Sequence, residues 1–463
     1  MTLTLGVRYE NFGHVKVPND ARNFVRGAGA DIAQRIASGR VEIVPEMYRT
    51  SNKNFAPRVG FAWDIGGKAR TSVRGGYGIA YDRQPGIISQ PYATNPPLRA
   101  TATLGLLLGS PNFIYSLGDP SKPYLGYPVE SQLRLGLDER NGIKGARVAL
   151  GAVDPNMRSP HLQNWSLGVQ HSVSPKTVVE VNYLGSAGHH LYDQRDINRY
   201  TGDLLLDSRF DGLNPSFSSI TLYETDGNSV YHGGTAQVRH SMRSDLTLRA
   251  ALTFGKSIDE TSGFRTSQWQ DVNDRRAERA VSSYDVSRKL TVVGLWNMPF
   301  FKHGRIARAL GDWQLSSSAI LESGQPINIT QNAAWPQGDF NADGRNEDRP
   351  NAPSSTIKTD WQRSDYLRGI MKISEFPAPL RGTNGNLGRN AYRGPGHAQI
   401  DFSLAKRFRV NERLSLQARM DAFNALNRVN LNNPVTALNN TNFGRSTGSA
   451  IPRAFQAGLR LEF

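Results

Sequence analysis

The densest set of oxygen donors in the chain is the stretch GDFNADGRNED, Gly338 to Asp348. Asp339, Asn341 and Asp343 take positions one, three and five of a calcium-type loop, Gly344 the sharp-turn position six, and Glu347 position nine. Hard oxygens spaced by two along a tight turn converge on one hard cation, which is the chemistry this spacing serves. Position twelve is Pro350 where a bidentate Glu belongs, so Asp348 has to substitute for it. The competing reading is a solvated acidic turn in a long loop.

Other chemical signals are weaker. AALTFGKS, ending at Ser257, has the tail of a phosphate-binding loop, but Ala250 stands where its first glycine belongs. No helix follows to offer a positive N-terminus, so a strand end is the better reading. RGGYG around Gly75 is equally poor as a dinucleotide fingerprint; glycine within a strand serves curvature or close backbone approach. His189 and His190 are potential metal ligands, yet adjacent residues point apart in extended chain, which favours a hydrated loop. There is no HExxH, no GxSxG and no convincing acid–base pair, so no enzyme activity is expected. With zero cysteines, disulfides and thiolate chemistry are excluded. Apart from calcium, no cofactor is expected. Loop aromatics Tyr92, Tyr115, Tyr124, Trp269, Trp335 and Trp361 are candidates for stacking on a ligand's sugar or ring faces.

The elements that must carry these residues repeat a period of two. AFQAGLRLEF puts Phe455, Ala457, Leu459, Leu461 and Phe463 on one face and Gln456, Gly458, Arg460 and Glu462 on the other. The same alternation runs through TLTLGVRYE, PRVGFAWDI, TSVRGGYGIAYD, NWSLGVQHSV, DLTLRAALTF, QIDFSLAKRF and RLSLQARMDAFN. TVVEVNYLG, GTAQVRHSM, KLTVVGLWNM and WQLSSSAIL show it more faintly. About twelve strands result, most near the ~9 to 11 residues that cross a bilayer at a tilt. Helical spans are excluded, because no apolar run approaches ~18 to 20 residues.

Charge sorts with this pattern. Carboxylates fall on the polar face alone, and the basic exceptions on the apolar face, His171, His240 and Lys406, all lie near a turn. There a basic group costs ~0 to 1 kcal/mol, against ~2 to 4 at the bilayer midplane. Trp165, Trp296, Trp313, Phe300 and Phe301 lie near strand ends, where rings prefer the headgroup zone. Tight turns at Gly66, Ser174, Arg243 and Asn411 alternate with long joins from about Asn11, Arg83, Gly188, Glu260, Gln331 and Arg428. The expectation is an all-β, antiparallel transmembrane β-barrel with long extracellular loops, in the outer membrane of a Gram-negative cell. The net charge of +15 suits phosphorylated lipopolysaccharide; nucleic acid is not expected as a partner. Two alternatives stand beside this reading: a soluble, basic β-rich protein for polysaccharide or nucleic acid, and a passive porin-like barrel.

The stretches NFAPRVGFAWD, VRGGYGIAYDR, NWSLGVQ, VEVNYLGSAGHHLYDQRDIN, TFGKSID, GDWQLSSSAILESGQP and QIDFSLAKRFRVNERLSLQARMDAFNALN, taken in order, resemble the C-terminal barrel of TonB-dependent receptors. The likeness is to the Oar-like group, whose members carry a carboxypeptidase-regulatory-like domain at the front. It implies uptake of a bulky nutrient such as a carbohydrate or metal chelate. Residues 1–463 then correspond to part of a larger barrel, with no plug domain and no signal peptide visible. TonB would act only through an N-terminal part outside this sequence. Leu459, Leu461 and the terminal Phe463 resemble the signal read by the barrel-assembly machinery.

Overall fold

Branched and aromatic side chains on alternate positions favour a pleated surface with two unlike faces. All twelve segments form strands: β1 (Thr2–Tyr9), β2 (Phe55–Ile65), β3 (Thr71–Tyr81), β4 (His161–Ser174), β5 (Thr177–Asp196), β6 (Phe217–Arg243), β7 (Leu246–Asp259), β8 (Arg288–Asn297), β9 (Trp313–Glu322), β10 (His397–Arg409), β11 (Ser415–Phe423) and β12 (Ala454–Glu462). The computed structural model describes residues 1–463 except 14, 16, 18, 85, 90–94, 97–135, 145–146, 244, 264–268, 301–310, 410 and 412–413. Tyr92, Tyr115, Tyr124, Phe301 and parts of the turns after Arg243 and Asn411 lie outside the described residues.

The strands hydrogen-bond in chain order from β1 to β12, each antiparallel to the next. Register keeps like with like. Leu3, Leu5 and Tyr9 oppose Phe61, Val59 and Phe55, and Leu416 and Ala418 oppose Leu461 and Leu459. On the reverse face Gln417 opposes Arg460 and Asp421 opposes Gln456. A slip of one residue would exchange the two faces, so the pattern itself fixes the pairing.

Burial along these strands is inverted relative to a soluble sheet. Leu167 is 50%, Val181 55% and Leu459 77% exposed, and Val59, Trp63, Val169 and Phe402 also face outward. The opposite face is polar and cross-linked: Arg419 Nε lies 2.7 Å from Asp421 Oδ1, Arg249 Nη2 donates to Gln237 Oε1 at 2.6 Å, and Lys289 meets Glu322 at 3.2 Å. An outward apolar belt backed by a polar wall is the geometry of a strand assembly solvated by lipid.

The three basic residues expected on the belt from the sequence are each accommodated. His171 Nδ1 is 2.7 Å from Thr71 Oγ1, and His240 Nδ1 is 2.7 Å from Thr177 Oγ1. Lys406 is buried, donates to Gly311 O at 2.6 Å and lies against the rings of Trp313 and Phe408. All three stand at the short-turn end, where the membrane penalty is smallest.

The hydrophobic cores lie among the long connections. One joins Phe24, Val41, Val148, Leu150, Phe217 and Ile220; a second joins Ile327, Ile329, Tyr366, Met371, Phe376 and Phe443; a third joins Met47, Tyr48, Ile88 and Val153. Among the described residues these joins hold only short elements, such as the helices Ile32–Ala37 and Arg363–Arg368. The join expected between Gly188 and Tyr231 is mostly strand: β5 and β6 continue above the belt, leaving only residues 197–216 as the connection. Val148–Val153 pairs parallel with this extension and covers it. Its less buried positions, Ala149 and Gly151, are small and not polar, so no alternation of apolar with polar residues marked it as a strand.

Candidate functional site

Three connections, residues 197–216, 260–287 and 323–396, pack together on the long-loop side through buried charge. Arg349 Nη1 meets Glu278 Oε2 at 2.8 Å, with 2% and 0% of the side chains exposed. Arg389 Nη2 meets Asp259 at 2.5 Å, tying residue 389 to the end of β7. Arg275 lies over the ring of Trp269 and bridges Glu224 at 3.1 Å and Glu260 at 3.2 Å. Dismantling any of these pairs would strand a buried charge, so together they hold the connections in one arrangement.

Between the second and third of these connections and residues 433–436 opens a cleft of 330 Å³ lined by Ser283, Asn328, Thr330, Asn332, Asn390 and Asn433, with Glu347 as the charged group on its wall. A second cleft of 200 Å³ shares Ser283, Asn328 and Asn390 and adds Trp269 and Arg389. Amide and hydroxyl groups offer both donors and acceptors without net charge, a lining suited to polyhydroxyl or amide-bearing ligands. Sequence reasoning missed these residues. They sit in aperiodic loops and are brought together by distant backbone pairings, Thr330 with Ala437 and Gln331 with Asp348.

The acidic turn lies directly behind this wall. Asp339, Asn341, Asp343 and Asp348 are all 2% exposed or less. Asp339 accepts from the amides of Asp343 at 3.0 Å and Gly344 at 2.9 Å. Asp343 Oδ1 accepts from Arg345 N, and Asp348 Oδ2 from Asn341 N, each at 2.9 Å. Gly344 takes φ +83°, which the tight turn requires and which L side chains rarely adopt. Burial pushes the Asp343 carboxyl up to about 7 and that of Asp348 up to about 8, with the neighbouring aspartates adding to both. Asp339 is raised by the same burial. Glu347 departs from the expected set: its carboxylate is 2.9 Å from Arg345 Nη2, half-exposed and turned to the cleft.

The other sequence candidates sort as follows. His189 and His190 do not point apart. The register slips between Gly188 and Leu191, His190 takes φ +53°, and both rings come to rest 5.3 and 5.7 Å from that of His161. The sequence signal for this was the odd residue in a strand pair, which only the pairing reveals. Ser257 lies within β7, bonded to Ser282, as a strand residue and not a phosphate cradle. Gly75 lies against the ring of Phe61, the close approach expected of a strand glycine. Leu459 and Leu461 stand on the outward face of β12, and Phe463 is 98% exposed beyond it. Trp269 is buried behind the second cleft, and Trp361 packs on Tyr366 and Tyr392.

Residues 1–456 match the family model described as outer membrane beta barrel domain. The chain belongs to this family. As a member of it, the protein is an outer-membrane β-barrel chain and not an enzyme. The exposed belt of β1 to β12 and their antiparallel order agree with that membership. The outer membrane transporter YddB from Escherichia coli is similar in fold, with TM-score 0.47 and 12% identity over 92% of this chain and 44% of that one. A mutant ferric enterobactin receptor, PfeA from Pseudomonas aeruginosa, in complex with enterobactin gives TM-score 0.45 and 12% identity over 92% and 44%. The copper transporter OprC gives 0.38 and 11% over 96% and 43%. The barrel chain thus spans less than half the length of these solved structures. No curated protein matches its sequence.

Proposed function

We propose that this outer membrane beta barrel chain is the barrel portion of a TonB-dependent receptor of the Oar-like group, which captures a bulky nutrient at its outer loops for uptake. The observation that carries this reading is a polar cleft, above a lipid-facing strand wall, that three long connections line with Ser283, Asn390 and Asn433, the first two of them pinned by buried ion pairs. A passive pore has no use for so much ordered chain at its mouth. A soluble binding protein would not turn Leu167, Val181 and Leu459 to water.

The cleft's lining of amides and hydroxyls favours a neutral carbohydrate over a charged metal chelate. TonB would act through a segment N-terminal to this sequence, and the barrel-assembly machinery would read the end of β12 at Phe463. Exposed arginines supply contacts for lipopolysaccharide phosphates. Titration of neutral oligosaccharides and of ferric chelates into the detergent-solubilised protein tests the ligand class. Saturable oligosaccharide binding that weakens in Asn390→Ala supports the reading; binding of ferric chelates alone would replace the carbohydrate assignment.

A further inference from the structure

We infer that the turn from Asp339 to Asp348 is a calcium site, ligated by Asp339, Asn341, Asp343 and Asp348, which fixes the wall of the adjoining cleft. Two independent observations point there. The first is a concentration of hard donors: three aspartates are buried together, and Arg199 Nη1 stands 3.6 Å from Asp343 Oδ1. The second is Asp348 Oδ1. This oxygen is fully buried on a residue 1% exposed and has no hydrogen-bond partner among the described residues. A buried carboxylate oxygen with no donor costs free energy that a bound cation recovers.

The donor set selects the ion. Every candidate ligand is a carboxylate or amide oxygen, which suits calcium or magnesium and disfavours zinc or copper. The ligands come from one turn and include no preformed octahedron, which favours calcium over magnesium. Among the described residues no three carboxylate or imidazole groups are already placed to hold an ion, so the site would have to close around calcium as it binds. Glu347 stays outside the set, paired with Arg345.

The consequence reaches the cleft by one backbone step. Gln331 N donates to Asp348 O at 2.8 Å, and Gln331 stands between the lining residues Thr330 and Asn332. Holding Asp348 therefore holds that wall and places Glu347 on it.

The test uses the full chain in detergent, stripped with chelator and titrated with calcium or magnesium chloride, with no nutrient ligand added. Calcium should bind with a dissociation constant of about 10⁻⁵ to 10⁻³ M and slow hydrogen exchange across residues 331–350. Magnesium should need a markedly higher concentration. Asp348→Asn and Asp343→Asn should each weaken calcium binding by roughly tenfold or more, while Glu347→Gln leaves it unchanged. Absence of calcium-dependent protection in folded, heat-modifiable protein overturns the assignment, as does equal calcium binding by both aspartate variants. Each readout is independent of nutrient binding, so it stands or falls apart from the receptor reading.

Discussion

The indole of Trp165 on β4 lies flat against Gly185, its cross-strand partner on β5, so closely that a Cβ at Gly185 would fall 2.2 Å from the ring. The same indole donates from Nε1 to Tyr183 OH at 3.2 Å, and Tyr183 OH is 2.7 Å from His232 Nδ1. Glycine here is a seat for the ring. Gly185→Val must displace the indole and break this chain of hydrogen bonds, at a cost of about 1 to 3 kcal/mol. The temperature at which the barrel loses its compact, fast-migrating form on gels should fall, and Trp fluorescence should shift.

The outward belt predicts an asymmetry between the two faces of one strand pair. Val181 is 55% exposed on the apolar face, and Gln237 opposes Glu180 on the polar one. Val181→Arg should cost ~2 to 4 kcal/mol where it meets the middle of the bilayer, and Gln237→Arg less, about 0.5 to 1.5 kcal/mol for the lost bond from Arg249. Urea unfolding of the two variants in lipid vesicles reads the difference.

Arg349 and Glu278 sit 71 residues apart in sequence and fully buried in space. Arg349→Met leaves Glu278 charged and unpaired and should loosen the connections around the cleft by about 3 to 5 kcal/mol. Limited proteolysis should then cut within residues 260–287 and 323–396 while the strands stay resistant.

Asp193, on the part of β5 above the belt, supplies a pH signature. Burial raises its carboxyl from 3.8 to about 6, partly opposed by Arg275. A raised carboxyl favours the folded state when protonated, so its contribution is full below about pH 3.8 and is lost as pH rises through about 6. Hydrogen exchange in the neighbouring connection should therefore quicken across that window. Asp193→Asn should flatten this part of the profile.

Sequence made the strands legible because lipid on one side and water on the other impose a strict period of two, as Leu459, Leu461 and Arg460 show. Where that asymmetry ends, so does the signal. Val148–Val153 sets Ala149 and Gly151 between buried Val148, Leu150 and Ala152, so its sequence shows no polar face. His189 and His190 share a side only because a register slip re-aims them. The acidic turn was visible because its spacing is local, from Asp339 to Asp348. The cleft was not, since Asn328, Asn390 and Asn433 meet only through pairings across more than one connection.

The central claim is that the apolar faces of β1 to β12 meet lipid. The chain contains no cysteine, so single cysteines can be introduced and spin-labelled without background. Labels at Leu167, Val169, Val181 and Phe402, and at Gln170, Gln237, Arg249 and Asp401, would be compared in lipid vesicles for collisions with dissolved oxygen and with a water-soluble nickel chelate. The account predicts that oxygen dominates at the first four and the nickel chelate at the second four. Equal access of the nickel chelate to both sets, or shielding of the first four from both reagents in a dry interior, would contradict it.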